Sequence, residues 1–400
     1  MRRERDASFR FPLAWYGATV VVLLAIQHVS NRVLRTPGGY RWGHWMGLRY
    51  YLDGWNQFDG PEYQKIAQHG YSYIPGQRSN IVWFPLYPNL LRWTHHVLVH
   101  DYLFAGILVS LVAGAAAVCL YWRWLDQREI HGRARILAFL VLCLYPYGWY
   151  LYGVVHSDSL FLALAVASFL LVERRHLVWA GVVGALATAT RPTGMALIPA
   201  LLAFGLIREG VLSVPDGQSG WRARLALPTH FDRSKLRAVA LAPGLAVVGL
   251  GAWMAYLGIR FGDPLAFEHN QQVYHPGDLP LLKRAFVVHW LRFGDAPSIT
   301  LTTTGQALVA LLVLCCIPAV CRRFGFAYGL YLFVLVAIPT VSTEDFMGTG
   351  RYMMAAFPAW AYLGERLAER SPALQRGVVA ALGCTIAFLA FGFSRSWYLT

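Results

Sequence analysis

The segment YLFAGILVSLVAGAAAVCLY, residues Tyr102 to Tyr121, contains one serine and no charged side chain. A run of about 20 apolar residues is long enough to cross the hydrocarbon core of a bilayer as a helix. The whole chain has the same character, because 56% of its 400 residues are hydrophobic and only 14% are charged. Soluble globular domains carry about 25% charged residues. The sequence therefore predicts an integral membrane protein.

Apolar runs of similar character recur along the chain on both sides of this segment. Several are shorter than the about 20 residues of a full crossing, which allows them to be tilted or broken. We predict an all-α polytopic fold with about eleven transmembrane helices. The runs are 11–33, 102–121, 136–155, 158–172, 177–190, 194–207, 238–258, 300–320, 326–341, 352–364 and 377–394.

The basic residues indicate the orientation of these spans. The net charge is +14, but Lys and Arg lie in short groups between apolar runs, so we predict no nucleic-acid partner. With a cytoplasmic N-terminus, 21 of the 35 Lys and Arg residues fall on the cytoplasmic side, as the positive-inside rule requires. The cytoplasmic segments are then 1–10, 122–135, 173–176, 208–237, 321–325 and 365–376.

The loops between the spans differ greatly in length. This topology predicts two long extracytoplasmic loops, 35–101 and 259–299, and a linker-like cytoplasmic loop, 208–237. A connection between two helices needs only a few residues, and long ordered loops are often functional. We therefore treat 1–400 as one transmembrane domain and place its site in the first outer loop, where interfacial helices are expected.

The first outer loop carries FDGPEYQKIAQHGY, residues Phe58 to Tyr71, with carboxylates at Asp53, Asp59 and Glu62. Pro61 suits a first helical turn, and Gly70 suits a helix end. Asp59 has two interpretations. It caps the helix with its side chain, or it is a reactive carboxylate in an aromatic setting.

Further ionisable residues stand at the outer ends of apolar runs. His156 and Asp158 lie in VVHSDSLF, where Asp158 is either a helix cap or a site residue. Arg191 in TATRPTG and Arg351 in GTGRYMMAAFP either reach towards lipid headgroups or bind a phosphate through charge-assisted hydrogen bonds.

The histidines and cysteines do not form a metal-binding pattern. His96 and His100 are four residues apart, but the acidic partner of an HExxH motif is missing. The six cysteines lie in or beside apolar runs without zinc-site spacing. We predict no metal site and no cofactor.

The loop motifs resemble those of the PIG-V-type mannosyltransferases, which add the second mannose to GPI anchors, and of their bacterial relatives. The family pattern W-D-G-x-W-Y-x-x-I-A-x-x-G-Y, then F-F-P-L-Y-P, is similar to this chain over 58–71 and 83–88. Phe58, Glu62 and Trp83 depart from it, so a GPI acceptor is not implied. The matching residues are Asp59, Gly60, Tyr63, Ile66, Ala67, Gly70, Tyr71, Phe84, Pro85, Leu86, Tyr87 and Pro88. HSDSLF (156–161), ATATRPTG (187–194), FGDPLAF (261–267) and GRYMMAAFP (350–358) follow in the family's order.

The resemblance implies a GT-C-like fold and a polyprenyl- or dolichyl-phosphate-mannose donor. It makes Asp59 the expected general base for transfer to a glycolipid or glycan acceptor at the extracytoplasmic face. Arg351, Arg191 and His156 are expected to bind the donor phosphate, with membrane lipids as further partners. The expected sugar- and acceptor-binding residues are Asp53, Glu62, Tyr63, Trp83, Tyr87, Asp158 and Tyr352.

Two other classes of protein remain open from the sequence. A secondary transporter would show internal repeats and broken segments at the membrane midplane. A non-catalytic lipid-binding membrane protein is the third possibility. We expect a multi-pass protein of a bacterial plasma membrane, with the endoplasmic reticulum as the alternative.

The topology is testable by thiol labelling of intact cells. In a cysteine-free background, single cysteines at Ser72 and Gly277 should react with an impermeant reagent from outside, whereas one at Ser219 should not. The reason is that the positive-inside rule places the first two outside and the third inside. Reaction of positions 72 and 277 from opposite sides would contradict one extracytoplasmic site.

Overall fold

A computed structural model describes residues 8–33, 52–215, 220–274, 283–295, 297–395, 397 and 399. Parts of the predicted loops, namely 35–51, 216–219 and 275–282, lie outside the described residues, as does most of the basic N-terminal segment. Everything below refers to the described part.

The chain divides into two compact units. Unit 1 comprises Met1–Tyr71, Leu86–Ala163 and Gly364–Thr400, and unit 2 comprises Ser72–Pro85 and Leu164–Leu363. The first outer loop is therefore shared, since its segment 72–85 belongs to unit 2. We describe each unit by itself. The prediction of a single domain stays a prediction.

The described residues are mostly helical, as predicted, with one short antiparallel strand pair in the predicted cytoplasmic loop. The helices are α1 (Arg10–Val33), α2 (Gly60–His69), α3 (Leu86–Thr94), α4 (Tyr102–Gln127), α5 (Gly132–Cys143), α6 (Asp158–Glu173), α7 (Leu177–Thr188), α8 (Leu197–Arg208), α9 (Gly220–Arg224), α10 (Ala238–Leu241), α11 (Val247–Phe261), α12 (Ala266–Tyr274), α13 (Arg284–Leu291), α14 (Pro297–Phe324), α15 (Phe326–Ser342), α16 (Thr349–Met353), α17 (Phe357–Ala368) and α18 (Pro372–Ser394). The strands are β1 (Leu212–Ser213) and β2 (His230–Phe231). Single turns of 3₁₀ helix include Asp53–Trp55, Gly148–Leu151, Pro192–Ala196 and Ala242–Ala246.

Five helical segments of the described chain are long and apolar enough to cross a membrane. They are Arg10–Ser30, Tyr102–Gln127, Ala238–Phe261, Pro297–Phe324 and Pro372–Ser394. Three shorter apolar helices are Leu177–Thr188, Pro192–Arg208 and Phe326–Ser342. The protein is thus an integral membrane protein. The count of about eleven spans stays a prediction.

Two of the predicted spans are interrupted by proline. The prediction of one continuous helix over 136–155 is wrong, because α5 ends at Cys143 and only one 3₁₀ turn follows. Pro146 lacks an N–H and disfavours helical geometry at Tyr145. The run 352–364 is also divided, with α16 ending at Met353 and α17 beginning beside Pro358.

In unit 1, α1 and α4 are joined by a buried tyrosine. The Tyr16 hydroxyl lies 2.9 Å from the carbonyl oxygen of Leu111 in α4 and 2.8 Å from that of Leu151 in the 3₁₀ turn. Both carbonyls accept from it. Gly114 of α4 allows this approach, because a Cβ there would collide with the Leu151 carbonyl. The turn that follows α5 is thereby held against α4.

The helix expected from Pro61 to Gly70 is confirmed as α2. Gly70 ends it with φ of +81°, a conformation that costs glycine little. Arg92 of α3 donates from Nε to the Ala67 carbonyl at 2.6 Å, so a cation binds the negative end of the helix dipole. The buried residues of α2 include Tyr63 and Ile66.

In unit 2, small residues bring helix backbones close together. Gly249 of α11 faces the Ala185 carbonyl and the Thr188 hydroxyl of α7. The Thr188 hydroxyl donates to the Ala246 carbonyl at 2.7 Å. Glycine at helix crossings allows such approach where lipid supplies no hydrophobic driving force.

The two outer loops meet within unit 2. Asn270 of α12 accepts from the Ser79 N–H at 3.0 Å and donates to the Gln77 carbonyl at 2.7 Å. Asn270 is buried, and both ends of its amide are hydrogen-bonded. The segment 72–85 is therefore attached to the second outer loop.

The glycine crossing can be tested with a matched pair in one helix. Gly249→Ala should destabilise the protein by about 1–3 kcal/mol, because the added methyl group meets backbone atoms. Gly251→Ala is the control, since nothing lies within 4 Å of its added Cβ. It should be neutral or stabilising, because alanine favours a helix over glycine. Thermal unfolding in detergent measures both. Equal midpoints would contradict close packing at Gly249.

Candidate active site

Asp59 lies in unit 1 at the residue preceding α2. Phe58 before it has φ of +54°, an uncommon conformation for a bulky residue. Within the described chain, the Asp59 side chain makes no capping hydrogen bond to α2. The residue after Asp59 is glycine, which fits because a Cβ at position 60 would lie 2.5 Å from the Asn56 side chain. The capping interpretation therefore does not account for the Asp59 carboxylate.

His156 faces Asp59 from the segment that joins α5 to α6. Its Nε2 lies 3.7 Å from Asp59 Oδ2, within ion-pair distance when the imidazole is protonated. The Val155 N–H donates to the Trp55 carbonyl at 3.0 Å, which fastens this segment to the 3₁₀ turn before Asp59. The His156 side chain is only 1% exposed, whereas that of Asp59 is 27% exposed. The carboxylate thus reaches solvent and the imidazole does not.

Aromatic rings enclose His156 within unit 1. The rings of Tyr150, Tyr63 and Phe393 contact it edge to face, with centroid distances of 5.0, 6.1 and 6.2 Å. The Tyr63 hydroxyl and the Ser157 hydroxyl are 3.0 Å apart, so they share a hydrogen bond. The imidazole is therefore held in one place by packing.

Tyr87, predicted to bind sugar, is completely buried beneath this cluster. Its hydroxyl donates to the Gly106 carbonyl at 3.1 Å and lies 2.8 Å from the Ser110 hydroxyl. Its ring contacts that of Tyr63 at 4.8 Å. These contacts favour a packing role, in which the Tyr87 ring packs against the Tyr63 ring and keeps it in place.

The other predicted residues have different environments. Asp158 is the first residue of α6 and is buried. Asp53 begins the 3₁₀ turn that precedes Asp59. Glu62 forms an ion pair with Lys65 on the surface of α2, at 2.5 Å. Trp83 belongs to unit 2 and is partly buried.

Arg191 and Arg351, both in unit 2, approach the same aromatic ring. Arg191 Cζ lies 4.6 Å from the centroid of the Tyr352 ring, and Arg351 Cζ lies 5.2 Å from it. Arg191 is buried, and it immediately precedes the 3₁₀ turn Pro192–Ala196. Arg351 lies in α16. Two cations near one ring repel each other, so an anion would stabilise the pair.

The segment FGDPLAF also forms a polar cluster in unit 2. Asp263 Oδ2 lies 2.7 Å from His269 Nδ1, and Asp263 Oδ1 accepts from the Leu265 N–H at 3.0 Å. Tyr73 also hydrogen-bonds to this carboxylate. Desolvation and the nearby carboxylate raise the pKa of Tyr73. This cluster extends the contact between the two outer loops.

An apolar cavity of about 340 Å³ lies in unit 1. Helices α1 and α4 form its sides, and Trp55 lines it four residues before Asp59. An apolar lining of this kind suits a hydrocarbon chain. The lining residues are Val20, Leu24, Leu52, Trp55, Val99, Phe104, Ile107, Leu108, Leu111 and Tyr152.

The structure shows the surroundings of the predicted site residues, and their roles stay predictions. The expectation that His156 binds phosphate stays a prediction, and in unit 1 the structure places its imidazole 3.7 Å from the Asp59 carboxylate. Tyr150 and Phe393, which enclose His156, carry no sequence signal, because their role depends on packing. Among the described residues, no three His, Cys, Asp or Glu side chains are grouped as metal ligands.

Comparison with known proteins gives a fold but no family. No protein-family model and no curated protein matches the sequence. The structure is similar to ArnT from Cupriavidus metallidurans bound to undecaprenyl phosphate, with a TM-score of 0.51 and 12% identity over 96% of this chain and 76% of that chain. AglB from Archaeoglobus fulgidus, in complex with an inhibitory peptide and a dolichol-phosphate, gives a TM-score of 0.43 and 11% identity over 96% of this chain and 56% of that chain. This second likeness is too weak to support an argument.

The likeness to ArnT concerns the fold alone, because 12% identity says little about chemistry. The likeness agrees with the helical membrane fold expected from the sequence, and the GT-C and PIG-V resemblances stay predictions.

Proposed function

We propose that this protein is an inverting membrane glycosyltransferase that moves mannose from a polyprenyl- or dolichyl-phosphate-mannose donor to a lipid-linked glycan or another extracytoplasmic acceptor. The membrane is a bacterial plasma membrane in this proposal. The observation that carries it is the pairing of a partly exposed Asp59 with a buried His156, 3.7 Å apart.

This pairing suits a general base. A base must reach the acceptor hydroxyl, and the Asp59 carboxylate is the exposed member of the pair. His156 is enclosed by aromatic rings, so it cannot itself meet a bulky acceptor. We assign it the role of orienting the carboxylate. Its protonated form would stabilise the ionised carboxylate that accepts the proton.

The chemical step requires one bond to form as another breaks. The acceptor hydroxyl loses its proton to Asp59 and its oxygen attacks the anomeric carbon of mannose. The bond between that carbon and the phosphate oxygen breaks, and polyprenyl phosphate leaves with the electron pair. Inversion by direct displacement needs one base, unlike the two carboxylates of a glycosidase.

The departing phosphate gains negative charge, which must be stabilised. Arg351 and Arg191 are cations near the Tyr352 ring, and guanidinium groups bind phosphate oxygens through paired hydrogen bonds. We assign donor-phosphate binding to these two residues. The Tyr352 ring holds both guanidinium groups by cation–π contacts.

Two further observations support a substrate with an apolar chain. The cavity beside Trp55 is apolar and lies between two helices of membrane-spanning length. The structure of ArnT to which this fold is similar holds undecaprenyl phosphate. Both agree with the donor class that the sequence resemblance implies.

One assay separates the enzyme from its rivals. Purified protein in lipid is incubated with radiolabelled polyprenyl-phosphate-mannose and a membrane lipid extract. A labelled new lipid or glycan supports the transferase. Uptake of an unmodified solute into proteoliposomes would indicate a transporter, and binding without turnover would indicate a lipid-binding protein.

Asp59→Asn tests the general base. We expect turnover to fall by about 10²–10⁴-fold, because the amide cannot accept the acceptor proton. Donor binding should be kept. Glu369→Gln is the matched control: Glu369 is an exposed carboxylate that already pairs with Arg366 at 2.9 Å, and its amide variant should retain turnover. Near-normal turnover of the Asp59→Asn protein would move the base elsewhere, with Asp158 the next candidate.

Arg351→Ala tests the phosphate assignment. We expect the donor KM to rise and kcat to fall, because the arginine binds the phosphate and stabilises its developing charge. Arg351→Lys should recover part of the loss, since lysine keeps the charge without the planar fork. Arg366→Ala is the control, an exposed arginine 2.9 Å from Glu369. Unchanged donor kinetics in Arg351→Ala would assign the phosphate to Arg191.

A further inference from the structure

Lys283 is a buried lysine whose ammonium group holds one loop of unit 2. It lies directly before α13 in the second outer loop and is only 8% exposed. Its Nζ donates to the Thr343 carbonyl at 2.6 Å and to the Asp345 carbonyl at 3.1 Å. It also lies 4.9 Å from the centroid of the Phe346 ring. One cation therefore contacts three residues of the same loop.

This loop, residues 343–348, joins α15 to α16 and leads to Arg351. We call it the arginine loop. Its first half is tightened by the Thr343 hydroxyl, which lies 2.6 Å from the Asp345 carbonyl. The Asp345 carboxylate accepts from the Met347 N–H at 2.9 Å. Lys283 thus binds a compact turn rather than a flexible strand of chain.

The far end of the arginine loop has its own support. Gln306 of α14 accepts from the Gly350 N–H at 3.0 Å, and Gly350 is the residue before Arg351. Gln306 is completely buried, so this hydrogen bond is shielded from water. Lys283 and Gln306 together fix both ends of the segment that presents Arg351.

Burying the charged lysine side chain at this position is energetically unfavourable unless its ammonium group is hydrogen-bonded. Burial lowers the pKa of Lys283 to about 8, and the Asp345 carboxylate opposes part of this effect. The ammonium form still predominates at neutral pH. Its three N–H donors suit a turn whose carbonyl groups point inward and need partners.

We propose that Lys283 is a positioning residue, which fixes the arginine loop through the Thr343 and Asp345 carbonyls so that Arg351 meets the donor phosphate. The inference rests on the proposed function only in assigning the phosphate to Arg351. The loop-holding role of Lys283 stands apart from that assignment and is measured separately.

Other charged groups around the arginine loop bear on its pH dependence. Asp345 Oδ2 lies 3.9 Å from His289 Nε2 of α13. Glu344 faces α13 through its backbone carbonyl, which accepts from the Phe286 N–H at 3.5 Å. Arg284 adjoins Lys283 in sequence, and Arg351 follows the loop.

The first measurement is hydrogen–deuterium exchange of the peptide covering 343–351, which needs no turnover. Lys283→Met keeps the apolar stem but removes the ammonium group, and we expect protection of this peptide to fall about tenfold. Lys283→Arg should keep it. Lys235→Met is the control, since Lys235 is exposed and pairs with Asp232 at 3.3 Å. Unchanged protection in Lys283→Met would overturn the loop-holding role, whatever the enzyme does.

The pH profile supplies a readout for wild-type protein if Lys283→Met fails to fold. The ammonium is present below pH about 8 and is lost as the pH rises through that value. Protection of 343–351, corrected for the intrinsic exchange rate, should therefore fall above pH about 8 in wild-type protein. In Lys283→Arg it should stay constant, because arginine remains charged. The same fall in both proteins would overturn the proposal.

Donor kinetics then test the link to Arg351. In Lys283→Met the KM for polyprenyl-phosphate-mannose should rise about tenfold, while the acceptor KM stays unchanged. Lys283→Arg should restore the donor KM. Lost protection of 343–351 with an unchanged donor KM would keep the loop-holding role but overturn the proposal that it serves donor binding. Absence of turnover in wild-type protein, with the exchange results as expected, would count against the proposed function alone.

Discussion

The hydrocarbon core of the membrane is the constraint on which this structure depends. It offers no water to hydrogen-bond a free N–H or carbonyl group, so the chain must satisfy its backbone inside helices wherever it contacts lipid. Chemistry-bearing side chains are then restricted to places where helices end or break. The residues of interest follow this rule. Asp59 precedes α2, His156 follows the break after α5, and Arg191 precedes a 3₁₀ turn.

The breaks themselves have identifiable causes. Pro146 prevents the helix from continuing through the apolar run 136–155, and the segment after it is held by Tyr16 and by the hydrogen bond from Val155 to Trp55. The segment therefore leaves helical geometry without losing its backbone partners. In unit 2, the break before Arg351 is supported by Lys283 and Gln306 in the same manner. Each unit thus presents its ionisable residues in or beside irregular segments whose backbone groups form hydrogen bonds with the rest of the unit.

The electrostatics of the two units differ in a way that matters for function. In unit 1, the exposed group is a carboxylate and its partner is a buried histidine. In unit 2, two arginines lie near the Tyr352 ring, and a lysine is buried under the preceding loop. A transfer reaction from a lipid phosphate needs a proton acceptor and a means of stabilising an anion. The chain provides both kinds of group, which a protein that only bound lipid would not require.

The sequence by itself determined the class of fold and the identity of the ionisable candidates. Apolar runs indicate membrane helices, because residues that face lipid must be apolar and their backbone must be helical. The bounds of α2 could be predicted from Pro61 and Gly70, because helix ends depend on local geometry. The sequence pattern did not predict the break after Cys143, because a single proline hardly changes the hydropathy of an apolar run. Only the tertiary structure decided that His156 faces Asp59, that Tyr87 is buried, and that Lys283 donates to a carbonyl of the arginine loop. These facts depend on contacts between residues far apart in the chain, and no local pattern records which distant side chains will meet.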